Sequence, residues 1–218
     1  MAQNDRSDQS SRRTLRRQMV NVADRVEYAI RFAVHALLVG DRRLADEIAL
    51  ECADIALELA ALELHYSRLV NQPEFAASAL RLLTALGSAR AQAHHIAQEV
   101  PLSSAPPPSV ARELELLTEQ SRLLMGQAIR TWSDGDTARA RDTLAAAREV
   151  DIALSAASQE LLERGVHGVP PTPPTRSLVV ALFKTLSKIG DNARRFCEET
   201  IDATSRATLR TSAIVPRA

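Results

Sequence analysis

Two stretches of the sequence share one plan: VHALLVGDRRLADE at residues 34–47 and IRTWSDGDTARARD at residues 129–142. In each stretch a helical pattern ends at a Gly-Asp pair, and a second helical pattern follows. Glycine readily takes the left-handed conformation that ends a helix, and aspartate accepts hydrogen bonds from the first N–H groups of the next helix. The pairs at 40–41 and 135–136 therefore predict two tight turns between long antiparallel helices.

Prolines mark the other helix boundaries. The ten prolines leave four long stretches without proline: 1–72, 74–100, 109–169 and 175–215. Because proline removes a helix hydrogen bond and clashes with the preceding turn, only such stretches can hold long helices. Together with the glycine turns they predict six helices, at about residues 11–39, 42–70, 73–100, 110–134, 137–164 and 175–204.

The composition favours an all-α fold. Alanine and leucine contribute 36 and 28 of the 218 residues, whereas only seven residues are aromatic. Helix-forming residues therefore dominate, and the residues that favour strands are scarce, which excludes a β-sandwich and a β-barrel. No run of valine and isoleucine is bounded by turn residues, which argues against a parallel α/β domain. The 27 basic residues balance the 27 acidic ones, so the basic excess typical of a general nucleic-acid-binding protein is absent.

The two halves of the chain repeat the same order: helix, Gly-Asp turn, helix, proline-marked loop, helix. Apolar residues in the first predicted helix recur at alternating intervals of four and three, from Leu15 through Met19 to Ala36, as helices of a bundle require. The second and sixth predicted helices have inward faces with similar spacing: Leu44, Ile48, Cys52, Ile55, Leu59, Leu62, Tyr66 and Leu69 in the second, and Val179, Leu182, Leu186, Ile189, Ala193, Phe196 and Thr200 in the sixth. We therefore expect two tandem antiparallel three-helix bundles related by a pseudo-repeat. The alternative is that Gly-Asp is a common helix–helix turn, and that the match arises by chance.

The predicted domain organisation follows from these boundaries. The two bundles occupy residues 11–100 and 110–204, and the prolines of residues 101–109 form a linker between them. The polar ends, residues 1–10 and 205–218, are expected to be a disordered tail and a second tail.

A motif near the end of the chain reads KIGDNARRFCEE (188–199). It resembles the PhoU-domain family, whose usual signature at this place is Glu-Arg-Ile-Gly-Asp-His-Ala. The tandem bundles and the Gly-Asp turns resemble the same family. The segment PEFAASALRLLTALGSARAQAHHIA (73–97) is similar to the PhoU-type domain found beside potassium-transport regulatory domains. The resemblance covers about residues 15–204. It implies a non-enzymatic adaptor that restrains phosphate or other ion uptake by contacting a membrane transporter or sensor histidine kinase, and it implies a homodimer.

Many members of that family bind metal ions through pairs of acidic residues four positions apart, which share one helix face. In this sequence Asp191 aligns with one acid of such a pair, but Ser187 stands where the second acid would be. Asp151 aligns with one acid of another pair, but Ala147 stands where its second acid would be. A multinuclear cluster is therefore not expected. The resemblance leaves one weakly bound metal ion between Asp151, Asp191 and Glu198 as the candidate site, with no other cofactor.

The alternative for Asp191 is an ion pair with Arg194 or Arg195 on a solvated face, worth only a few tenths of a kcal/mol. The first half has lost its acidic motifs, since the aligned positions hold other residues: Cys52, Ala56, Gly87 and Ala91. The sequence contains no Glu-x-x-His, His-x-x-x-His, Gly-x-Ser-x-Gly or glycine-rich phosphate loop, so an enzyme is not expected. Two further hypotheses stay open, a structural oligomer-forming bundle without a transport link and a metal-binding helical protein.

The expected location is the cytoplasm. No apolar stretch approaches 18 residues, the first residues do not form a secretory signal, and the two cysteines suit a reducing compartment. Four arginines lie within two turns near the start: Arg12, Arg13, Arg16 and Arg17. An anionic membrane surface or an acidic partner would attract such a cluster, which predicts peripheral association with the inner face of the membrane. The alternative is a solvated helix start.

Overall fold

The part of the chain that the structure describes folds into six long helices. The computed structural model describes residues 2–69, 73–100, 106, 108–163 and 173–214. In these ranges the chain forms no strand, and its helices are α1 (Ala2–Val39), α2 (Arg42–Ser67), α3 (Pro73–Glu99), α4 (Pro108–Asp134), α5 (Thr137–Glu163) and α6 (Pro173–Ile214). The expected all-α class and the number of helices are confirmed.

The outer helices are longer than predicted. α1 begins at Ala2 rather than near Ser11, and α6 continues to Ile214 rather than ending near Thr204. Helix therefore extends into both segments that we expected to be tails. The physical reason is that neither segment contains a glycine or proline before Ile214, so nothing interrupts the backbone hydrogen bonds. Most of the predicted linker at 101–109 lies outside the described residues.

The two Gly-Asp turns have the same geometry. Gly40 and Gly135 have φ angles of 73° and 70°, in the left-handed region that favours glycine. The N–H groups of Asp41 and Asp136 each donate to the carbonyl five residues earlier, at 2.9 and 3.1 Å, which closes the end of the preceding helix. This shared hydrogen-bond pattern is what the internal repeat predicts.

The helices form two groups of three that pack against each other. α1, α2 and α3 contact one another, as do α4, α5 and α6. Between the groups, α1 contacts α4 and α3 contacts α6. Both contacts join helices at equivalent positions of the repeat, as a pseudo-twofold relation between tandem three-helix bundles requires. The hydrophobic core is continuous through all six helices, so the domain boundaries themselves stay a prediction.

The inward faces predicted from the sequence are buried. In α6 the whole predicted set has at most 3% of its surface exposed: Val179, Leu182, Leu186, Ile189, Ala193, Phe196 and Thr200. In α1 the predicted set is buried except for Leu15, which is partly buried against the core. α1 also buries a second set that the sequence analysis did not identify: Ala23, Ile30, Val34 and Leu37. A second buried face is needed because α1 packs on α2, α3 and α4.

Ion pairs between arginine and glutamate cross the boundary between the bundles. Glu27 of α1 accepts a hydrogen bond from Arg122 of α4, and both side chains are less than one-fifth exposed. Arg81 of α3 donates from two of its nitrogens to the carboxylate of Glu199 on α6, the Nη2–Oε2 distance being 2.8 Å. Paired arginine–carboxylate bonds are both strong and directional, so they fix how the two bundles meet.

Candidate metal site and docking surface

The acidic residues of the candidate metal site surround an arginine. Asp151 lies on α5 and Asp191 on α6, and the guanidinium of Arg194 contacts both carboxylates. Arg194 Nη1 lies 3.6 Å from Asp151 Oδ2, and Arg194 Nη2 donates to Asp191 Oδ1. The hydrogen bond that Arg194 donates to Asp191 raises the pKa of Arg194, although partial burial opposes the shift, and Asp151 adds a smaller charge effect. The structure brings Asp151 and Asp191 together, but through a cation supplied by the chain.

With Arg194 in that position the pair does not fit a divalent cation, because the guanidinium contacts both carboxylates where the metal ion would have to bind. Glu198, the third predicted ligand, is exposed on the last part of α6. Within the described ranges no group of three histidine, cysteine, aspartate or glutamate side chains is arranged to hold a metal ion. The metal site at Asp151, Asp191 and Glu198 therefore stays a prediction.

In the first half, a buried thiol stands where the family pattern has an acid. Cys52 of α2 donates from Sγ to the carbonyl of Arg90 on α3 at 3.8 Å, and Arg90 Nη1 donates to the carbonyl of Cys52 at 3.4 Å. Burial raises the pKa of Cys52 to about 11. Cys197 is also buried, and burial raises the pKa of its thiol to about 11, so both thiols stay protonated at neutral pH.

The basic start of α1 is only partly a surface feature. The guanidinium of Arg16 lies 5.6 Å from the ring centroids of both Phe75 on α3 and Trp132 on α4. Trp132 in turn meets Phe196 edge to face at 6.1 Å. Arg16 therefore packs inward between aromatic rings of both bundles, whereas Arg13 and Arg17 are exposed. The side chain of Arg12 lies outside the described part of the chain.

A stripe of exposed apolar residues runs along α2. Leu50, Leu57 and Leu64 are 71%, 73% and 51% exposed, and the exposed Ala53 and Ala60 lie between them. The resulting intervals of three and four are those of a coiled-coil seam, with leucine at every seventh position. We call these five residues the α2 stripe. This stripe is hard to recognise in the sequence because the buried face of α2 has the same periodicity, although the seven-residue interval between its leucines is visible there.

The α2 stripe is not a requirement of the repeat. Ninety-five positions further along the chain, the residues that correspond to its three leucines are Ala145, Ile152 and Gln159 of α5. Of these only Ile152 is a large apolar residue, and it is 70% exposed. Since α5 folds without a matching row of leucines, the leucines of α2 are not needed to form the bundle.

The charges beside the α2 stripe are mostly acidic. Asp46, Asp54 and Glu63 are exposed on α2 and border or continue the seam. The basic residues of this region stand near the two ends of the helix: Arg42, Arg43, His65 and Arg68. The middle of the stripe is therefore an apolar surface edged by negative charge.

Comparison with proteins of known structure identifies the fold of this chain. No protein-family model and no curated protein sequence matches this chain. Among solved structures, the phosphate transport system regulatory protein PhoU from Streptococcus pneumoniae superimposes with a TM-score of 0.80 over 91% of this chain and 97% of that one, at 16% identity. The chain has the PhoU fold. PhoU from Pseudomonas aeruginosa matches with a TM-score of 0.63 over 88% of this chain and 96% of that one, at 20% identity.

The resemblance seen in the sequence is thus confirmed at the level of the PhoU fold. Within that fold Asp191 occupies the motif at 188–199 that suggested the family, and it is held by Arg194, as the alternative interpretation expected. Of the helices that the structure describes, none is both apolar enough and long enough to cross a membrane.

Proposed function

We propose that this protein is a non-enzymatic regulatory adaptor that modulates a membrane transport system for phosphate or another ion. It acts on the cytoplasmic side, at the inner face of the membrane, by contacting the transporter or its sensor histidine kinase. The observation that carries the proposal is the fold shared with the regulatory protein PhoU of Streptococcus pneumoniae over almost the full length of both chains. An adaptor needs an exposed contact surface, and the α2 stripe supplies one.

We assign the α2 stripe to a partner helix that has its own apolar seam and basic residues beside it. Leucines at every seventh position accept the side chains of a second helix between them, and buried leucines contribute most of the binding free energy in such contacts. A contiguous patch of exposed apolar side chains is also a common mark of an interaction site on a protein surface.

Charge selects the partner. Asp46, Asp54 and Glu63 would meet basic residues of a complementary helix, which favours encounter and fixes the register. A second copy of α2 would instead bring like charges together. The expected homodimer is therefore proposed to use a different surface, and the mass in solution of the wild type and of a stripe variant tests this point.

Crosslinking and capture from membranes tests the proposal. The bait proteins are the wild type, Leu57→Glu, and the matched control Ile152→Glu, which places the same charge at the equivalent and equally exposed position of α5. We expect the wild type and the control to capture a transporter or sensor kinase, and Leu57→Glu to capture at least tenfold less, which corresponds to about 1.4 kcal/mol. Failure of the wild type to capture either protein would contradict the adaptor function. Equal capture by both variants would contradict the α2 stripe as the contact surface.

A further inference from the structure

A groove of about 610 Å³ lies between α3 and α6, away from the α2 stripe and from Arg194. Its walls carry four basic side chains and no acidic one: His95 on α3, and Arg176, Lys184 and Lys188 on α6. The remaining lining residues are polar or small and apolar: Gln92, Ser177, Val180, Ala181 and Thr185. The volume is within the range of sites that bind small molecules.

The basic residues of the groove are unusual for this chain. Lys184 and Lys188 are its only lysines among 27 basic residues, and they stand one helical turn apart. Neither they nor Arg176 forms an ion pair with any residue that the structure describes, whereas many other basic side chains here are paired. His95 lies 3.9 Å from Glu99 at the end of α3, and Glu99 does not line the groove. Positive charge is therefore concentrated on this face of a chain whose net charge is zero.

The geometry suits an anion with an apolar part. Arg176, Val180, Lys184 and Lys188 follow one another at four-residue intervals, so the three cations line one side of α6 over about 18 Å. Val180 and Ala181 form an apolar floor between Arg176 and Lys184. At the wall of the groove, the buried Thr185 hydroxyl donates to the amide oxygen of Gln92 at 3.3 Å, which leaves the amide nitrogen as a further donor.

We propose that this groove binds a small phosphorylated anion, with Lys184 and Lys188 on the phosphate oxygens and the apolar floor under the rest of the molecule. Lysine and arginine are the residues that bind phosphate most effectively, and a bound dianion removes the repulsion among three neighbouring cations. The proposal does not depend on the regulatory function, because it rests only on the charges and shape of the groove.

The two lysines allow a direct test. Reductive methylation with ¹³C-formaldehyde labels only Lys184, Lys188 and the terminal amine, and it keeps the positive charge. The labelled full-length protein is titrated with inorganic phosphate and with adenosine triphosphate. We expect both lysine signals to shift with at least one of these two probes, and to shift together along one binding curve. Unchanged lysine signals with both probes would overturn the proposal.

Calorimetry with charge variants gives the second readout. Lys184→Gln/Lys188→Gln removes two positive charges from the groove, and the control Arg141→Gln/Arg148→Gln removes two from the exposed face of α5. We expect the lysine variant to bind the active probe at least tenfold more weakly, and the control to stay within about twofold of the wild type. Equal weakening in both variants would show a general charge effect and overturn the proposal. Lysine-dependent binding to phosphatidylglycerol vesicles, without binding of either soluble probe, would also overturn it.

Discussion

Asp41 and Asp136, which stand 95 positions apart, cap equivalent helices in the same way. Each carboxylate accepts a hydrogen bond from the backbone N–H three residues later, and both distances are 3.0 Å. Each residue also follows a glycine in the left-handed conformation. The two halves of the protein therefore repeat an atomic detail, in addition to the order of their helices.

This equivalence predicts equal effects of substitution. Asp41→Ala and Asp136→Ala should each lower the free energy of unfolding by about 1 kcal/mol, because each removes an N-cap acceptor. Urea denaturation measures the change. Asp→Asn at either position keeps an acceptor oxygen and is the control, expected within a few tenths of a kcal/mol of the wild type. If the asparagine and alanine variants lost equal stability, the capping bond would not be the cause.

Replacing Gly126 of α4 by alanine should change the stability differently from the same replacement at Gly87 of α3. A Cβ atom at Gly126 would lie 2.7 Å from Glu27 Oε2, whereas at Gly87 nothing lies within 4 Å. Replacing a helical glycine by alanine normally stabilises a protein by about 0.5–1 kcal/mol. We expect that gain for Gly87→Ala, and no gain or a loss for Gly126→Ala, because Glu27 is held by Arg122.

The double variant Glu27→Ala/Gly126→Ala isolates the cause. In the background Glu27→Ala, the contact that opposes alanine is gone, so adding Gly126→Ala should raise the free energy of unfolding by about the amount gained at Gly87. Thermal or urea unfolding of the four proteins in this cycle supplies the values. An identical effect of Gly126→Ala in both backgrounds would rule out Glu27 as the obstacle.

The buried thiols predict a loss of stability at high pH. Burial raises the pKa of Cys52 and of Cys197 to about 11 in the folded protein, above the value of about 8.5 for an unfolded chain. Between these values the unfolded state releases protons that the folded state keeps, so the free energy of unfolding falls as pH rises from about 8.5 to 11. Below pH 8.5 this contribution is fully present.

Denaturation at pH 7.5 and pH 10 checks the thiol prediction. The wild type should lose more stability between the two pH values than Cys52→Ala/Cys197→Ala does, since the variant lacks both titrating groups. Tyr66 is the remaining group to control, because burial also raises its pKa, and it is present in both proteins. Identical pH dependence of the two proteins would contradict the raised pKa values of the two thiols.

The same burial predicts low reactivity. In the native state at pH 7.5 both thiols should react only slowly with a thiol reagent.

Arg194 lies between Asp151 and Asp191, so replacing it should change the affinity of these two carboxylates for a metal ion. Arg194→Ala removes the cation that contacts Asp151 and Asp191 and competes with a metal ion for them, so the variant should bind Mn²⁺ more tightly than the wild type does. Calorimetric titration compares the two, and Arg194→Ala/Asp191→Asn is the control that should lose the gain. A wild type that binds Mn²⁺ as tightly as Arg194→Ala would mean that Arg194 does not compete for these carboxylates.

Much of the fold could be predicted from the sequence because it depends on local rules. Glycine and proline positions located the helix boundaries, and the three-and-four spacing identified the buried faces of α2 and α6. The ends of α1 and α6 were missed because polarity alone does not stop a helix. The second buried face of α1 was missed because contact with α4 is a tertiary property, and its residues Ile30 and Val34 follow the same periodicity as the first face.

The candidate site was less predictable. The sequence identified Asp151 and Asp191, and the structure does bring them together. The packing of α5 against α6 decides which nearby cation pairs with the two aspartates. The sequence therefore offered the ion pair with Arg194 only as an alternative. The groove at Lys184 was not found, since it needs α3 beside α6, and no pattern within either helix reveals that contact.

The pairing of α1 with α4 and of α3 with α6 has a further consequence. Two separate copies of one half, related by a twofold axis, would bury the same faces against each other, as isologous dimers do. Such a dimer would come apart on dilution, whereas a single chain that carries both halves holds them together at any concentration. Covalent fusion also lets the halves diverge, so that one keeps a row of leucines and the other a row of basic residues on one scaffold.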